Sequence, residues 1–229
     1  MTSATDPKLA PKPAPRLEKY RRLDAFLERL RGDVYPEPPS PLHSQITQQM
    51  FQRLQALHPL APGARVLDVG CGQGAALELF RDAGLDAAGI SVGEDVAACR
   101  AKGLNAVEMD FGFLEFDDAA FDLVWCRHAL EHSLMPYFML SELFRVLKPG
   151  GVLYVEVPAP DTACRHQANP NHYSVLPKSM WAELIRRAGF TDARVNDLAL
   201  TTAAGPDVYW AFVARRPPGA PPDALMGPA

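Results

Sequence analysis

The sequence predicts an α/β protein built on a doubly wound, mostly parallel seven-stranded sheet, with a C-terminal antiparallel hairpin and an N-terminal helical extension. Three observations predict it. Val66 to Gly74 reads V-L-D-V-G-C-G-Q-G, an apolar strand that runs into alternate glycines and then a helix-compatible stretch. From Arg65 onward, apolar runs alternate with helical patterns, the rhythm of right-handed βαβ units. Near the end, two strand-like segments follow one another with no helical pattern between them, so they pair as a hairpin.

The elements follow in order. Met1 to Pro15 contains Pro and Lys without an apolar core and reads as a disordered tail. Arg16 to Arg31 places Leu17, Tyr20, Leu23, Phe26, Leu27 and Leu30 at helical spacing, and Gly32 stops it. Pro36 to Pro41 is a stiff linker, and Ser44 to His58 is a second helix. Residues 16–60 together form the helical extension, a lid for the main domain at 61–216. Strands are expected at Arg65–Val69, Ala87–Ser91, Ala106–Met109, Asp122–Cys126 and Val152–Val157. The hairpin strands are Ala193–Leu198 and Val208–Ala214. Helices are expected at Ala75–Ala83, Glu94–Lys102, Pro136–Leu147 and Pro177–Ala188. The Pro/Gly-rich end, 217–229, frays.

Composition narrows the class of function. The 229 residues suffice for one α/β domain with a full core and a short extension. A formal net charge of -4 gives no electrostatic case for a nucleic-acid binder. No apolar run approaches the ~20 residues that cross a bilayer, so the expected location is the cytoplasm, with no membrane partner. Cys71, Cys99, Cys126 and Cys164 are scattered, with no CxxC pair. They read as reduced, mostly buried thiols, and cysteine alone builds no zinc site.

In an open α/β sheet, ligands bind beyond the carboxyl ends of the strands. After the first strand, Gly70, Gly72 and Gly74 remove side chains that would block a ligand, with Cys71 between them. Asp68 just ahead suits a positive or hydrogen-bond-donating group. Ser91, Gly93 and Glu94 follow the second strand, and Asp110 and Phe111 the third. Arg127, His128, Glu131 and His132 follow the fourth. Gly70, Gly72 and Ala75 also fit the dinucleotide pattern G-x-G-x-x-A, but that reading needs an acid where Ser91 stands.

These segments, in this order, resemble the class I S-adenosylmethionine-dependent methyltransferases, a Rossmann-like family. VLDVGCGQG resembles the family's glycine-rich first motif, and Met109 to Phe111 its acidic adenine-contact position. FDLVWCRHALEH (Phe121 to His132) and LFRVLKPGGVLYVEVP (Leu143 to Pro158) are similar to the fourth-strand motif and to the helix, turn and strand that follow. The resemblance covers Ser44 to Arg215 and implies S-adenosyl-L-methionine as cofactor. It places Gly70, Cys71, Gly72 and Gly74 against the methionine part, with Asp68 holding the amino group. It gives Asp110 to the adenine amine, Phe111 to the ring, and Arg127 to the neighbourhood of the sulfonium. The ribose position, usually an acid, is Ser91 here, and Glu94 is an alternative only if the loop bends back.

H-A-L-E-H puts His128, Glu131 and His132 on one side of a helical turn. The letters match an inverted zinc-protease signature, but that signature needs a longer helix than a segment following a buried strand provides. Two readings stay open: His128 or His132 is the general base that takes the acceptor's proton, or both histidines are structural. Some quinone-pathway relatives hold a divalent metal here through acids and a histidine, but His128 replaces one acid, so no metal is expected. In the family the loop corresponding to Asp161–Leu176 lines the substrate pocket, which makes His166, Asn169, His172 and Tyr173 candidates for substrate binding, His172 and Tyr173 foremost, while His43 and Gln45, at the start of the second helix, are candidates to reach cofactor or substrate.

The resulting expectation is methyl transfer to an oxygen, or a nitrogen, of a small-molecule acceptor. The rival is a non-catalytic cofactor-binding partner protein that keeps the fold. Ser91 favours the rival, while the intact first motif and Asp110 oppose it.

Overall fold

The structure, a computed structural model, describes residues 16–31 and 40–221. The chain divides into two compact units, Met1–Tyr35 and Pro36–Ala229. The first is described through α1 (Arg16–Arg31), which carries exposed Tyr20 and Phe26. The expected tail at 1–15, the Gly32 stop, linker residues 36–39 and the end from 222 onward lie outside the described residues.

The second unit begins with α2 (Pro41–Leu57). It starts earlier than Ser44 because Ser40 caps it, its hydroxyl accepting from the His43 amide at 3.2 Å, and Pro41 occupies the first turn, where no amide is needed. There follow β1 (Arg65–Val69), α3 (Ala75–Asp82), β2 (Asp86–Ser91), α4 (Glu94–Ala101), β3 (Ala106–Glu108) and β4 (Phe121–Arg127). The chain ends with α5 (Pro136–Val146), β5 (Leu147–Pro158), α6 (Lys178–Arg187), β6 (Thr191–Thr202) and β7 (Gly205–Arg215).

The seven strands lie in the order β3-β2-β1-β4-β5-β7-β6. The first five are parallel, and β7 runs antiparallel between β5 and β6. β5 begins at Leu147, opposite Phe121, and its register slips before Leu123 pairs with Val152, so the expected Lys148–Gly151 turn is an irregularity within the strand. The hairpin is longer than expected because its pairing continues to Thr202 opposite Gly205. The Thr202 hydroxyl secures the turn, donating to the Gly205 carbonyl and accepting from the Ala204 amide.

Strand periodicity assigns the two faces. Leu67 and Val69, Val124 and Cys126, and Leu153, Val155 and Val157 pack with α5 and α6. Val66, Leu123, Trp125, Val152 and Tyr154 pack with α2 and α3 on the other face. Trp125 stacks on Tyr154 at 3.9 Å between ring centroids. Counting on by twos along that second face brings Asp68, Arg127, Glu156 and Tyr209 to its carboxyl-end rim, the same rim that receives the glycine loop. Among the described residues no helix is long and apolar enough to cross a membrane.

Candidate functional site

The glycine loop leaves β1 in left-handed backbone, with φ of +74° at Gly70, +50° at Gly72 and +88° at Gly74. The three glycines serve different ends. A Cβ on Gly70 would fall 2.8 Å from Ala129 Cβ, and one on Gly74 2.5 Å from Leu104 Cδ1. Those two are needed for packing as well as for dihedral freedom. A Cβ on Gly72 would meet nothing within 4 Å, so its side faces open space. The amides of Gly70 and Cys71 both donate to the Ile90 carbonyl at 3.0 Å, pinning the loop to β2. Among the described residues, the amides of Gly72 and Gln73 have no acceptor, and these are the ones the loop presents to a ligand. From below, Cys99 Sγ approaches the Gly72 carbonyl at 3.2 Å, and Lys102 Nζ donates to the Gln73 carbonyl at 2.8 Å.

Above the loop lies a pocket of about 120 Å3. It joins Asp68, Gly70, Cys71, Gly72 and Gln73 to Trp125, Arg127 and His128, and to His43 and Thr47 of α2. Asp68 is 3 % exposed and its Oδ2 has no hydrogen-bond partner. Burial pushes its carboxyl up to about 7, although Arg127 pulls the other way. An orphaned carboxylate oxygen in such a pocket is open to a donor from a ligand.

The second wall is a polar knot centred on Glu156, 1 % exposed. Its Oε1 accepts from Arg127 Nε and from His128 Nε2, each at 2.8 Å, and its Oε2 accepts from the Tyr154 hydroxyl at 2.6 Å. Burial works to raise the carboxyl, but the bond and charge of His128, the charge of Arg127 and the Tyr154 bond hold it down at about 2. Arg127 Nη1 reaches Thr47 Oγ1 at 2.8 Å, so α2 is tied directly to the rim. His128 sits at φ +55°, in strained left-handed backbone. Its ring stacks on Tyr209 at 4.4 Å and meets His43 edge-on at 5.4 Å. A carboxylate can only accept, so Nε2 carries the proton and Nδ1 keeps the lone pair of the neutral ring. Burial and the Arg127 charge push His128 down to about 4 despite Glu156.

Of the residues expected at the cofactor site, the pocket brings together Asp68, Gly70, Cys71, Gly72 and Arg127, and adds His128. The others lie outside this lining. Gly74 is spent on packing against α4 and its following loop. Ser91 gives its carbonyl to the Met109 amide. Asp110 Oδ1 accepts from the Gly112 amide at 2.7 Å, closing its own turn, and Phe111 packs onto the core. His132 Nδ1 bonds the Asn171 carbonyl at 2.9 Å, and its ring meets His172 edge-on at 4.8 Å. Glu131, His132 and His172 each place one donor atom within 4.8 Å of the others, a set able to hold a cation. Tyr173 is 38 % exposed, and Gln45 is exposed. Of His43 and Gln45, the candidates at the start of α2, only His43 lines the pocket.

Thr47, Glu156 and Tyr209 are the participants the sequence reading passed over. Glu156 did leave a signal, as the lone acid in the apolar run V-L-Y-V-E-V.

Comparison with known proteins agrees with this architecture. Residues 42–195 match the family model described as a methyltransferase domain. The 24-methylenesterol C-methyltransferase 2 of Oryza sativa is 31% identical over 73% of this chain and 52% of its own length, so the chain spans about half of that relative. The 27-O-demethylrifamycin SV methyltransferase of Amycolatopsis mediterranei is 27% identical over 94% of this chain and 87% of its own length. A solved phosphoethanolamine N-methyltransferase 2 of Haemonchus contortus, in complex with S-adenosyl-L-methionine, superposes with a TM-score of 0.65 at 17% identity. That superposition covers 74% of this chain and 52% of the solved one.

Proposed function

Because the chain belongs to the class I S-adenosylmethionine-dependent methyltransferases, we propose that it transfers the methyl group to an oxygen of a small-molecule acceptor, with His128 as the base. The observation that carries the reading is the pocket in which the buried, unpartnered Asp68 Oδ2, the open side of Gly72 and the Glu156-bound imidazole of His128 meet. Asp68 and the Gly72 and Gln73 amides fit the charged amino-acid end of the cofactor, one oxygen for an ammonium and two N–H groups for a carboxylate. S-adenosylmethionine supplies an electrophilic methyl group when bound.

The chain's own residues do the rest. Nδ1 of His128 takes the proton of the acceptor hydroxyl, and the Glu156 carboxylate stabilises the imidazolium that forms. Glu156 acts through the ring and is a positioning residue. Tyr209 and His43 fix the ring's plane, which holds the base in line for an in-line displacement. Between the two candidate bases, the pocket favours His128, because His132 is engaged by the Asn171 carbonyl and lies outside the lining. An oxygen acceptor fits a site with a built base, since an amine needs only positioning. The sterol and rifamycin in the names of the two relatives above are both small-molecule acceptors.

Calorimetry with S-adenosylmethionine, followed by transfer of labelled methyl to a fractionated small-molecule extract, tests the reading. Binding with label entering a hydroxyl-bearing metabolite is expected. Absence of binding overturns the pocket assignment. Binding with no transfer in any fraction favours the non-catalytic partner protein instead.

A further inference from the structure

Beyond the pocket, the loop after β5 and the start of β7 converge on a second group of side chains. Cys164, His166 and Asp207 each place one donor atom, sulfur, ring nitrogen and carboxylate oxygen, within 4.8 Å of the others. Asp207 comes from β7, which otherwise buries apolar side chains, and its side chain is 1 % exposed; that of His166 is 11 % exposed. His166 Nε2 lies 3.1 and 3.0 Å from the two Asp207 oxygens. Cys164 Sγ lies 3.1 Å from Thr202 Oγ1 of the facing strand. Next to them, His172 stacks on His166 at 5.7 Å, and its Nδ1 is buried with no hydrogen-bond partner. Arg165, between the two loop donors, is held at φ +52°.

We propose that Cys164, His166 and Asp207 form a site for a thiophilic divalent cation, zinc in class. The donor set carries the choice of metal. Thiolate with imidazole and one carboxylate suits zinc, whereas calcium and magnesium take oxygen ligands. Burial adds to the argument: the Asp207 carboxylate, bonded by the Val208 amide at 2.9 Å and by His166, is sealed from water beside a thiol, where its charge acts most strongly on a cation. On binding, the Cys164 thiol proton leaves to solvent and the His166 ring proton moves from Nε2 to Nδ1, so that sulfur, nitrogen and carboxylate all face the ion.

The site staples the loop carrying His172 and Tyr173 to β7. Tyr209, two residues beyond Asp207, contacts His166 at 5.2 Å on one side and stacks on His128 on the other. The cation therefore fixes the rim around the proposed base without entering the pocket.

Cobalt(II) titration of the full chain, stripped with chelator, tests the site. One equivalent should bind with a thiolate-to-cobalt charge-transfer band and tetrahedral d–d bands, and zinc should displace it. Cys164→Ser should abolish the charge-transfer band and weaken binding at least about tenfold. His166→Gln should weaken binding while keeping the band, which covers the case in which the cysteine variant fails to fold. Zinc should also raise the melting temperature of the wild-type chain, the stabilisation growing with the logarithm of its concentration over Kd once zinc exceeds Kd. No stoichiometric uptake overturns the proposal. So does uptake without a thiolate band that survives Cys164→Ser, because that result assigns the ion to Glu131, His132 and His172.

Discussion

Asp68→Asn should stabilise the ligand-free protein at alkaline pH while removing cofactor affinity. Burial holds the Asp68 carboxyl near 7 against an ordinary 3.8. The folded state therefore keeps its proton to higher pH than the unfolded state, and stability is lost as pH rises from 3.8 through about 7. At about 1.4 kcal/mol per pH unit, ionising this group costs the fold about 4 kcal/mol in all, of which about 3 kcal/mol falls between about pH 5 and about pH 8. Asparagine has the same shape and no charge to desolvate. The difference in unfolding free energy between variant and wild type should grow by about 3 kcal/mol over that range, read by urea denaturation without ligand. Other titrating groups cancel in the difference. Calorimetry should show wild-type affinity for S-adenosylmethionine rising as pH climbs through about 7, with the variant at least about 100-fold weaker and flat in pH. A difference in stability that does not vary with pH, or a variant that binds like wild type, would refute the reasoning that an unpartnered carboxylate is kept for the ligand.

The two loop glycines should separate under substitution. Gly72→Val should fold with a loss of about 1–2 kcal/mol from its left-handed backbone yet bind cofactor poorly, whereas Gly74→Val should lower the melting temperature sharply, because its Cβ would lie 2.5 Å from Leu104 Cδ1. His128→Ala should lose methyl transfer with cofactor affinity intact, and His132→Ala should keep turnover; full activity in both removes the base. Transfer by the wild type should fall as pH drops through about 4, where the His128 ring takes a proton. Glu156→Gln should destabilise the fold by about 3–5 kcal/mol by leaving Arg127 buried against a neutral partner, as chemical denaturation would register.

What the sequence made legible follows from the range of each interaction. The strand positions, the hairpin and the β1 loop rest on local patterns, namely apolar runs, helical spacing and glycines at turns, and the sequence places them within a few residues. α2 starts ahead of its first apolar repeat because Ser40 and Pro41 open it, and the proline-rich composition of Pro36 to Pro41 hides a Ser-Pro pair that is itself a helix-opening signal. Asp110 reads as a ligand-binding acid at the end of β3, and D-F-G also spells the short-range turn that its Oδ1 closes. The role of Gly74 depends on Leu104 and Cys99, side chains from a later βα unit, and no inspection of the loop alone reveals it. Tyr209 and Asp207 reach the rim only because β7 pairs with β5, a fact of topology rather than of local pattern.

That insertion has a consequence for biosynthesis. β7 follows all six other described strands in the chain but occupies an interior slot, with β5 on one side and β6 on the other. A nascent chain can assemble the five parallel strands early, whereas β6 has no neighbour to join until its successor emerges from the ribosome. The aromatic clamp on His128 arrives with that successor, so a chain cut short before β7 keeps the glycine loop and Asp68 without the Tyr209 ring against His128.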